Sequence, residues 1–211
     1  MNKFAITGLF VVAGVAIAAI FVTYQQKNSA VVPATTSQPS PSSSAVPIST
    51  NGQMLSDLLV GGSSYLDPQG VFSLLYPAEY QLDTQDPLHT RIYKTGATQR
   101  GQTEMYDGVL IVFETISLTD QTLEEWVDTT INTSTADGTL TVTQPKKSIT
   151  LNGHPGYTYS VRGLGESTYW VLQKDPQSKF AVNLTTAIHD PENVGYQSEV
   201  DAIFATLELL K

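Results

Sequence analysis

Residues 147–162 of this 211-residue chain read KSITLNGHPGYTYSVR, and this stretch decides the class of fold. Two runs with alternating apolar side chains flank the dipeptide Asn152-Gly153. Asn-Gly is favoured in a two-residue type I′ turn, because both turn positions need a positive φ angle. The stretch therefore predicts two antiparallel strands that are joined by a tight hairpin.

The same alternation extends on both sides of the hairpin. From residue 138 onward, apolar residues recur at every second position, which is typical of strands with one buried face. Within residues 180–188, Phe180, Val182 and Leu184 fall on one face, which we expect to be core. The run 110–118 starts with β-branched and apolar residues and is expected to be a central strand, buried on both faces. The predicted strands are residues 71–76, 90–94, 110–118, 140–144, 147–151, 156–162, 168–173 and 180–188.

Two helices complete the predicted domain. Thr122 and Glu125 fit a capping box at the start of the first helix, in which we expect Trp126 to be substantially buried. Apolar residues recur at helical spacing in both segments. They are Leu123, Trp126, Val127, Thr130 and Ile131 in the first helix, and Tyr196, Val200, Ile203, Phe204 and Leu207 in the second. The pattern predicts an α+β domain in which helices flank an antiparallel sheet.

The beginning of the chain has a different composition. Residues 4–24 read FAITGLFVVAGVAIAAIFVTY and contain no charge. At ~1.5 Å per residue, a helix of this length spans roughly 31 Å, which matches a hydrocarbon core of about 30 Å. We therefore predict a transmembrane signal anchor in residues 1–27 that contacts the lipid bilayer through residues 4–24. A cleaved signal peptide is the alternative, although its apolar core is usually shorter.

Residues 28–61 are predicted to form a disordered linker. Residues 28–52 contain seven Ser, three Thr and four Pro and no charge. Such a composition cannot bury enough apolar surface to offset the entropy of ordering. The folded domain is then residues 62–211. We expect a single-pass protein of the cell membrane whose C-terminal domain lies outside the cytoplasm.

The charges and the missing residue types exclude several functions. All 20 acidic residues lie from Asp57 onward together with 9 basic ones, so this part carries a net charge of −11. An acidic domain disfavours nucleic acid as a partner. Without cysteine the chain has no disulfide, thiolate metal site or cysteine nucleophile. The sequence has no nucleotide-binding, GxSxG or HExxH motif, so we predict no cofactor, no metal and no catalytic residue.

Four aromatic residues are the strongest candidates for a binding surface. Tyr157 and Tyr159 share one face of a predicted strand, and Tyr169 and Trp170 lie on the next strand. Aromatic rings on neighbouring strands can form a platform for a sugar or a peptide. Simple packing at the boundary of the core is the alternative interpretation.

The remaining polar candidates are expected to be ordinary surface groups. Acidic residues in the first turn of a helix interact favourably with the helix dipole and point to solvent. This applies to Glu124, Glu125 and Asp128. The histidines His89, His154 and His189 are far apart in the sequence, and we expect His154 and His189, which lie beside predicted turns, to be exposed.

The order of these features resembles the PsbP-like family, relatives of the extrinsic lumenal subunit of photosystem II, over residues 65–211. The motifs are residues 70–77 (GVFSLLYP), residues 122–127 (TLEEWV), residues 152–157 (NGHPGY) and the closing helix around Ile203-Phe204. The resemblance implies an antiparallel sheet flanked by helices in an α/β/α sandwich. Members are mostly non-enzymatic binding or assembly proteins, and a Ran-binding import factor shares the fold. This sequence departs from the family after Pro77, where Ala78 stands in place of a frequent Trp.

These observations together predict a membrane-tethered extracytoplasmic binding or assembly module without catalytic activity. Its expected partner is an unidentified protein or cell-envelope component. Two other classes stay open. One is a hydrolase that acts on cell-wall or surface polymers through carboxylates that meet only in the fold. The other is a small-solute binder that uses a cleft between sheet and helix.

Overall fold

A computed structural model describes residues 60–86, 88–100 and 105–211. No helix in these ranges has the length and the apolar character that a membrane span requires. The predicted anchor in residues 1–27 and nearly all of the predicted linker lie outside the described residues. The predictions about them therefore stay predictions.

Ten strands and two helices form from the described residues. In chain order they are β1 (Ser63–Leu66), β2 (Phe72–Tyr76), β3 (Gln81–Asp86), β4 (His89–Thr95), β5 (Gly108–Ser117), α1 (Leu123–Thr135), β6 (Thr141–Leu151), β7 (His154–Arg162), β8 (Glu166–Gln173), β9 (Phe180–His189), α2 (Tyr196–Ala205) and β10 (Glu208–Leu209). The predicted combination of an antiparallel sheet with two helices is confirmed.

The strands pair into two antiparallel sheets. The large sheet has seven strands in the order β3-β4-β5-β9-β8-β7-β6, and the small sheet has three in the order β1-β2-β10. Strand β5 lies inside the large sheet, between β4 and β9, and buries both Val112 and Phe113. Since neighbouring residues of a strand point to opposite faces, β5 is buried on both faces, as predicted.

Two hydrophobic cores cover the two faces of the large sheet. The first core contains residues of the large sheet together with residues of β2 and α2, among them Phe72, Phe113, Leu184 and Ile203. The second core lies under α1 on the other face and includes Leu123, Val127, Tyr159 and Val171. Strand β8 shows the division directly, because Val171 belongs to the second core and Leu172 to the first. The large sheet is thus the middle layer of the domain.

The predicted Asn-Gly hairpin joins β6 and β7. The φ angles of Asn152 and Gly153 are 52° and 82°, as a type I′ turn requires. The side-chain amide of Asn152 also donates hydrogen bonds to the carbonyl oxygens of Phe204 at 2.7 Å and Leu207 at 3.1 Å. This turn therefore fixes the end of α2 to the large sheet.

The capping box of α1 is confirmed as well. The Thr122 hydroxyl accepts a hydrogen bond from the Glu125 amide at 3.2 Å, and the Thr122 amide donates to Glu125 Oε2 at 2.8 Å. Leu123 and Val127 are buried beneath the helix, whereas Trp126 is half-buried at its edge. Trp126 is therefore less buried than we predicted.

The remaining differences concern short or irregular strands. The two strands predicted at 140–144 and 147–151 are a single strand, β6, with register shifts on both sides of Gln144. Such β-bulges interrupt the alternation of side chains, so one strand has the sequence pattern of two. Strands β1, β3 and β10 were not predicted.

Candidate functional site

The four predicted aromatic residues lie on opposite faces of the large sheet. Tyr157, Tyr159 and Tyr169 pack on the second core. Trp170 packs on the first core, where its ring meets Phe204 edge-on with 5.0 Å between the ring centroids. The fold thus brings the three tyrosines together and places Trp170 apart from them.

Two of these tyrosines, the buried Tyr159 and the half-buried Tyr169, form a packing pair. The rings of Tyr159 and Tyr169 stack at a centroid distance of 4.7 Å with an interplanar angle of 2°. Tyr159 is only 3% exposed. Burial is the main cause that raises the pKa of both hydroxyls, and the Glu114 carboxylate adds to it. Both groups are therefore neutral, and their arrangement is that of core packing.

Tyr157 lies beside a small cluster of charges between α1 and β6. The Lys146 ammonium is 5.1 Å from the centroid of the Tyr157 ring. It also pairs with Glu124 at 3.0 Å and with Asp128 at 2.6 Å. Both acids are exposed, as predicted, and here they attach the outer side of α1 to the edge strand β6.

His89 is the most buried of the three histidines. This residue is only 6% exposed, because it begins β4 on a covered part of the large sheet. Its Nδ1 lies 2.8 Å from Asp86 Oδ2 across the β3–β4 turn. His154 and His189, which we expected to be exposed, are half-buried at the ends of β7 and β9. In the part of the chain that the structure describes, no three His, Asp or Glu side chains are placed to hold a metal ion.

A network of polar side chains fixes the start of α2. Asp107 is buried, and its Oδ2 accepts hydrogen bonds from the amide and the hydroxyl of Thr98, both at 2.8 Å. The Tyr196 hydroxyl donates to Asp107 Oδ1 at 3.0 Å. These donors, above all the Thr98 amide, hold the pKa of Asp107 below its ordinary value. Burial and the Asp107 carboxylate raise the pKa of Tyr196 to about 12.

A second part of this network joins α2 to β4. The Tyr80 hydroxyl donates to Glu199 Oε2 at 2.8 Å, and the Lys94 ammonium lies 2.9 Å from Glu199 Oε1. Burial is the main cause that raises the pKa of Tyr80. The acids of the network are thus engaged by donors of the fold itself, which indicates a structural role.

Exposed leucines mark a different region, the outer face of the small sheet. Leu66 on β1 is 62% exposed, and Leu75 on β2 is 44% exposed. Leu66 pairs with Ser73 and Leu75 pairs with Ser64, so the two leucines are diagonal neighbours on one face. We call this region the leucine face. It forms a shallow groove of about 490 Å³ and consists of Ser64, Leu66, Ser73, Leu75, Thr206 and Glu208.

The leucine face is held rigidly on α2. The Leu75 amide donates a hydrogen bond to Thr206 Oγ1 at 2.9 Å, and this hydroxyl donates to the Ile203 carbonyl at 2.8 Å. Sequence reasoning missed this surface because β1 has only four residues. The only available signal was the pair of unexplained apolar residues Leu66 and Leu75, which come together only through the β1–β2 register.

A smaller cleft lies below the turn that joins β1 to β2. It has a volume of about 120 Å³. We call it the turn cleft, and its lining includes Tyr65, Asp67, Phe72, Asp86, Thr90 and Phe113. Both of its charged lining residues are aspartates. Phe72 stacks on Phe113 with 5.4 Å between the ring centroids, and Tyr65 packs on Phe72 at 5.8 Å with its ring tilted by 49°.

Comparisons with known proteins give similarities of structure alone. No model of a protein family matches the sequence, and no curated protein matches it either. The solution structure of cyanobacterial PsbP (CyanoP) from Synechocystis sp. PCC 6803 is similar with a TM-score of 0.45 and 14% identity, covering 78% of this chain and 99% of that one. The Ran-binding protein Mog1p of Saccharomyces cerevisiae gives a TM-score of 0.45 and 10% identity, covering 71% of this chain and 96% of that one.

A crystal structure from Bacteroides thetaiotaomicron VPI-5482 is similar with a TM-score of 0.39 and 13% identity. It matches 71% of this chain, and the chain spans about half of that protein, 49%. Cyanobacterial PsbP is thus among the structural neighbours of the chain. Membership of the PsbP-like family stays a prediction, because the sequence identities are 14% or lower.

Proposed function

We propose that this chain is a membrane-tethered binding or assembly module without catalytic activity, and that its domain lies outside the cytoplasm. In this proposal residues 4–24 anchor the chain in the bilayer, residues 28–61 form a flexible spacer, and the domain binds a protein of the cell envelope. The observation that carries the binding function is the leucine face, where apolar side chains are exposed on two neighbouring strands.

The exposed leucines of this face lie next to each other, whereas exposed leucines on most surfaces are scattered singly. Single exposed apolar residues are normal on protein surfaces, but adjacent ones mark interaction sites. Leu66 and Leu75 are diagonal neighbours, and Leu210 next to β10 is also exposed. Covering these side chains with an apolar partner surface would remove them from water, which favours binding.

The edge of the small sheet offers a second way to engage a partner. Within the described residues, β1 has a strand neighbour on one side only, which is β2. An edge strand presents unpaired backbone N–H and C=O groups that can pair with an extended peptide. A partner strand added to β1 would place its alternate side chains beside Leu66 on the same face.

The charges define the chemistry of the partner further. Of the six residues of the leucine face, only Glu208 carries a charge. The part of the chain from Asp57 onward has 9 basic and 20 acidic residues, so its field attracts basic surfaces. The best fit is an apolar protein segment that carries a basic residue opposite Glu208.

Photo-crosslinking in native membranes tests the binding function. The full-length chain carries a photoreactive residue at position 64, and the crosslinked protein is purified from solubilised membranes. Leu66→Glu and Leu75→Glu place a charge in the apolar patch, so the crosslinked yield is expected to fall about tenfold or more. Leu164→Glu is the matched control, because Leu164 is 64% exposed in the turn between β7 and β8.

The leucine-face variants should keep the melting temperature of the parent chain, since both side chains are exposed. Equal crosslinking by Leu66→Glu, Leu75→Glu and Leu164→Glu would contradict the proposed surface.

Amino-terminal sequencing of the membrane-bound protein tests the anchor separately. We expect the amino terminus to precede residue 4, because an uncleaved span keeps the whole apolar run. A new terminus between residues 18 and 27 would show that the apolar run is a removed signal peptide.

A further inference from the structure

We propose that the turn cleft binds a small primary ammonium ion, as a function separate from protein binding on the leucine face. The ligand class follows from three features of the cleft. They are a carboxylate with one oxygen that accepts no hydrogen bond, two hydroxyl groups and an aromatic wall. The volume of about 120 Å³ sets the size of the ligand. It equals the room of roughly four water molecules at ~30 Å³ each, which suits an alkylammonium of a few non-hydrogen atoms.

Asp67 supplies the negative charge. It lines the cleft and is only 7% exposed. Its Oδ2 accepts hydrogen bonds from the amides of Gln69 and Val71, both at 3.1 Å, which closes the turn. Its Oδ1 has no hydrogen-bond donor among the described residues. A carboxylate oxygen without a donor favours a charged N–H group, because charge-assisted hydrogen bonds are the strong ones.

Two hydroxyls next to Asp67 add further acceptors. The hydroxyls of Tyr65 and Thr90 are 2.8 Å apart, and each oxygen keeps lone-pair capacity beyond this bond. Burial, together with the nearby Asp67 carboxylate, raises the pKa of Tyr65, so its hydroxyl is neutral. A primary ammonium has three N–H donors and can use the carboxylate and the hydroxyls together. A quaternary ammonium has none.

The aromatic wall and the charges of the lining also favour a cationic ligand. Tyr65, Phe72 and Phe113 line the cleft, and aromatic faces attract cations. The second charged lining residue, Asp86, already pairs with His89 at 2.8 Å and with Arg91 at 3.4 Å. Asp67 is therefore the acid that a bound cation would neutralise.

A saturation-transfer NMR titration of the full-length chain in detergent micelles tests the proposal. Ethylammonium is the probe, and ethanol is the neutral probe of nearly the same size. We expect ethylammonium to bind saturably and ethanol to bind at least about tenfold more weakly, because ethanol lacks the charge that Asp67 recognises. Equal binding of both probes, or no saturable binding of ethylammonium, would overturn the proposal. This comparison uses the unchanged chain and does not depend on how a variant folds.

Variants locate the binding. Asp67→Asn keeps a side-chain oxygen for the Gln69 and Val71 amides but removes the charge, so the ethylammonium affinity should fall about tenfold. Asp120→Asn removes one negative charge from an exposed turn and should change the affinity less than about twofold. A loss of the same size in Asp67→Asn and Asp120→Asn would mean that the cation is attracted by net charge alone, and the cleft would not be its site.

Two more variants complete the set. The Thr115 hydroxyl is buried at the cleft and has no hydrogen-bond partner. Thr115→Val keeps the shape of the side chain but removes this hydroxyl from the lining, so the affinity should fall by less than in Asp67→Asn. A larger loss in Thr115→Val than in Asp67→Asn would contradict the assignment of Asp67 as the main acceptor. Leu75→Glu, which also tests the leucine face, lies opposite Ser64 and further from Asp67, so it should change the ethylammonium affinity less than about twofold and the two functions can fail independently.

Discussion

The two faces of the large sheet are covered by segments of different origin. On the second-core face, α1 follows β5 directly and packs on β6, β7 and β8, the next strands of the chain. On the first-core face, β1 and β2 come from the beginning of the described chain, and α2 and β10 come from its end. One face is therefore covered by a local segment, and the other is covered only when distant segments meet.

The polar contacts of the two faces differ in the same way. On the first-core face they are buried and join distant segments, as Tyr196 does with Asp107 at 3.0 Å. On the second-core face the ion pairs that attach α1 are exposed, as Lys146 is with Glu124 and Asp128. Exposed ion pairs contribute little to stability, whereas broken buried contacts cost more. Substitutions should therefore have larger effects on the first-core face.

Removing one large side chain from each face gives the strongest test of this difference. Phe72 is buried between Tyr65 and Phe113, so Phe72→Ala should lower the free energy of unfolding by about 3–5 kcal/mol. Trp126→Ala should cost only about 1–2 kcal/mol, because Trp126 is half-buried. Urea unfolding of the two variants measures both values. An equal or larger loss in Trp126→Ala would show that α1 carries as much of the stability as the first core.

Acid should weaken the first-core face through Asp107. Its donors lower the pKa in the folded state below the unfolded value of about 3.9. The stabilisation is then fully present above that value and is lost as the pH falls through the lower folded pKa, because the unfolded state binds more protons there.

Asp107→Asn should flatten the fall of the urea midpoint as the pH decreases below about 4. Glu125→Gln is the matched variant on α1, because the Thr122 amide likewise lowers the pKa of the exposed Glu125. We expect it to flatten the curve less, since its carboxylate is in contact with solvent. A stronger effect of Glu125→Gln would reverse the comparison.

The smallest effect is expected for the exposed ion pairs of α1. Glu124→Gln and Asp128→Asn should each change the free energy of unfolding by less than about 0.5 kcal/mol, because exposed pairs with Lys146 are screened by water. Urea unfolding at low and high salt measures this. A change above about 1 kcal/mol would mean that the Lys146 cluster stabilises α1 as strongly as a buried contact.

Sequence reasoning predicted the local elements and missed the non-local ones. The capping box at Thr122 and the turn at Asn152-Gly153 depend on residues within a few positions, and both are present. Strand β3 reads QLDTQD and has no apolar alternation to indicate it, and β10 has only two residues. These strands form because a neighbouring strand pairs with them. The local sequence contains no pattern that predicts this pairing.

The candidate sites show the same difference between local features, which could be predicted, and contacts between distant segments, which could not. Tyr157 and Tyr159 share a face because they are two positions apart on one strand. Tyr169 and Trp170 are adjacent, so they must point to opposite faces, and this alternation alone already separates Trp170 from the tyrosines. The leucine face and the turn cleft require the pairing of β1 with β2 and the contact of that hairpin with the large sheet. Neither could be read from single segments.

The pairing of β10 with β2 also determines when the protein can finish folding. Leu209 pairs with Phe72, and Glu208 pairs with Ser73. Almost the whole length of the domain separates these partners, and closing so long a loop is slow because its entropy is lost before the contacts form. A ribosome that is still adding residues after α2 therefore holds a chain whose small sheet lacks its last strand. The α1 segment can already be packed at that moment, whereas Phe72 is fully covered only after β10 has been synthesised and has paired with β2.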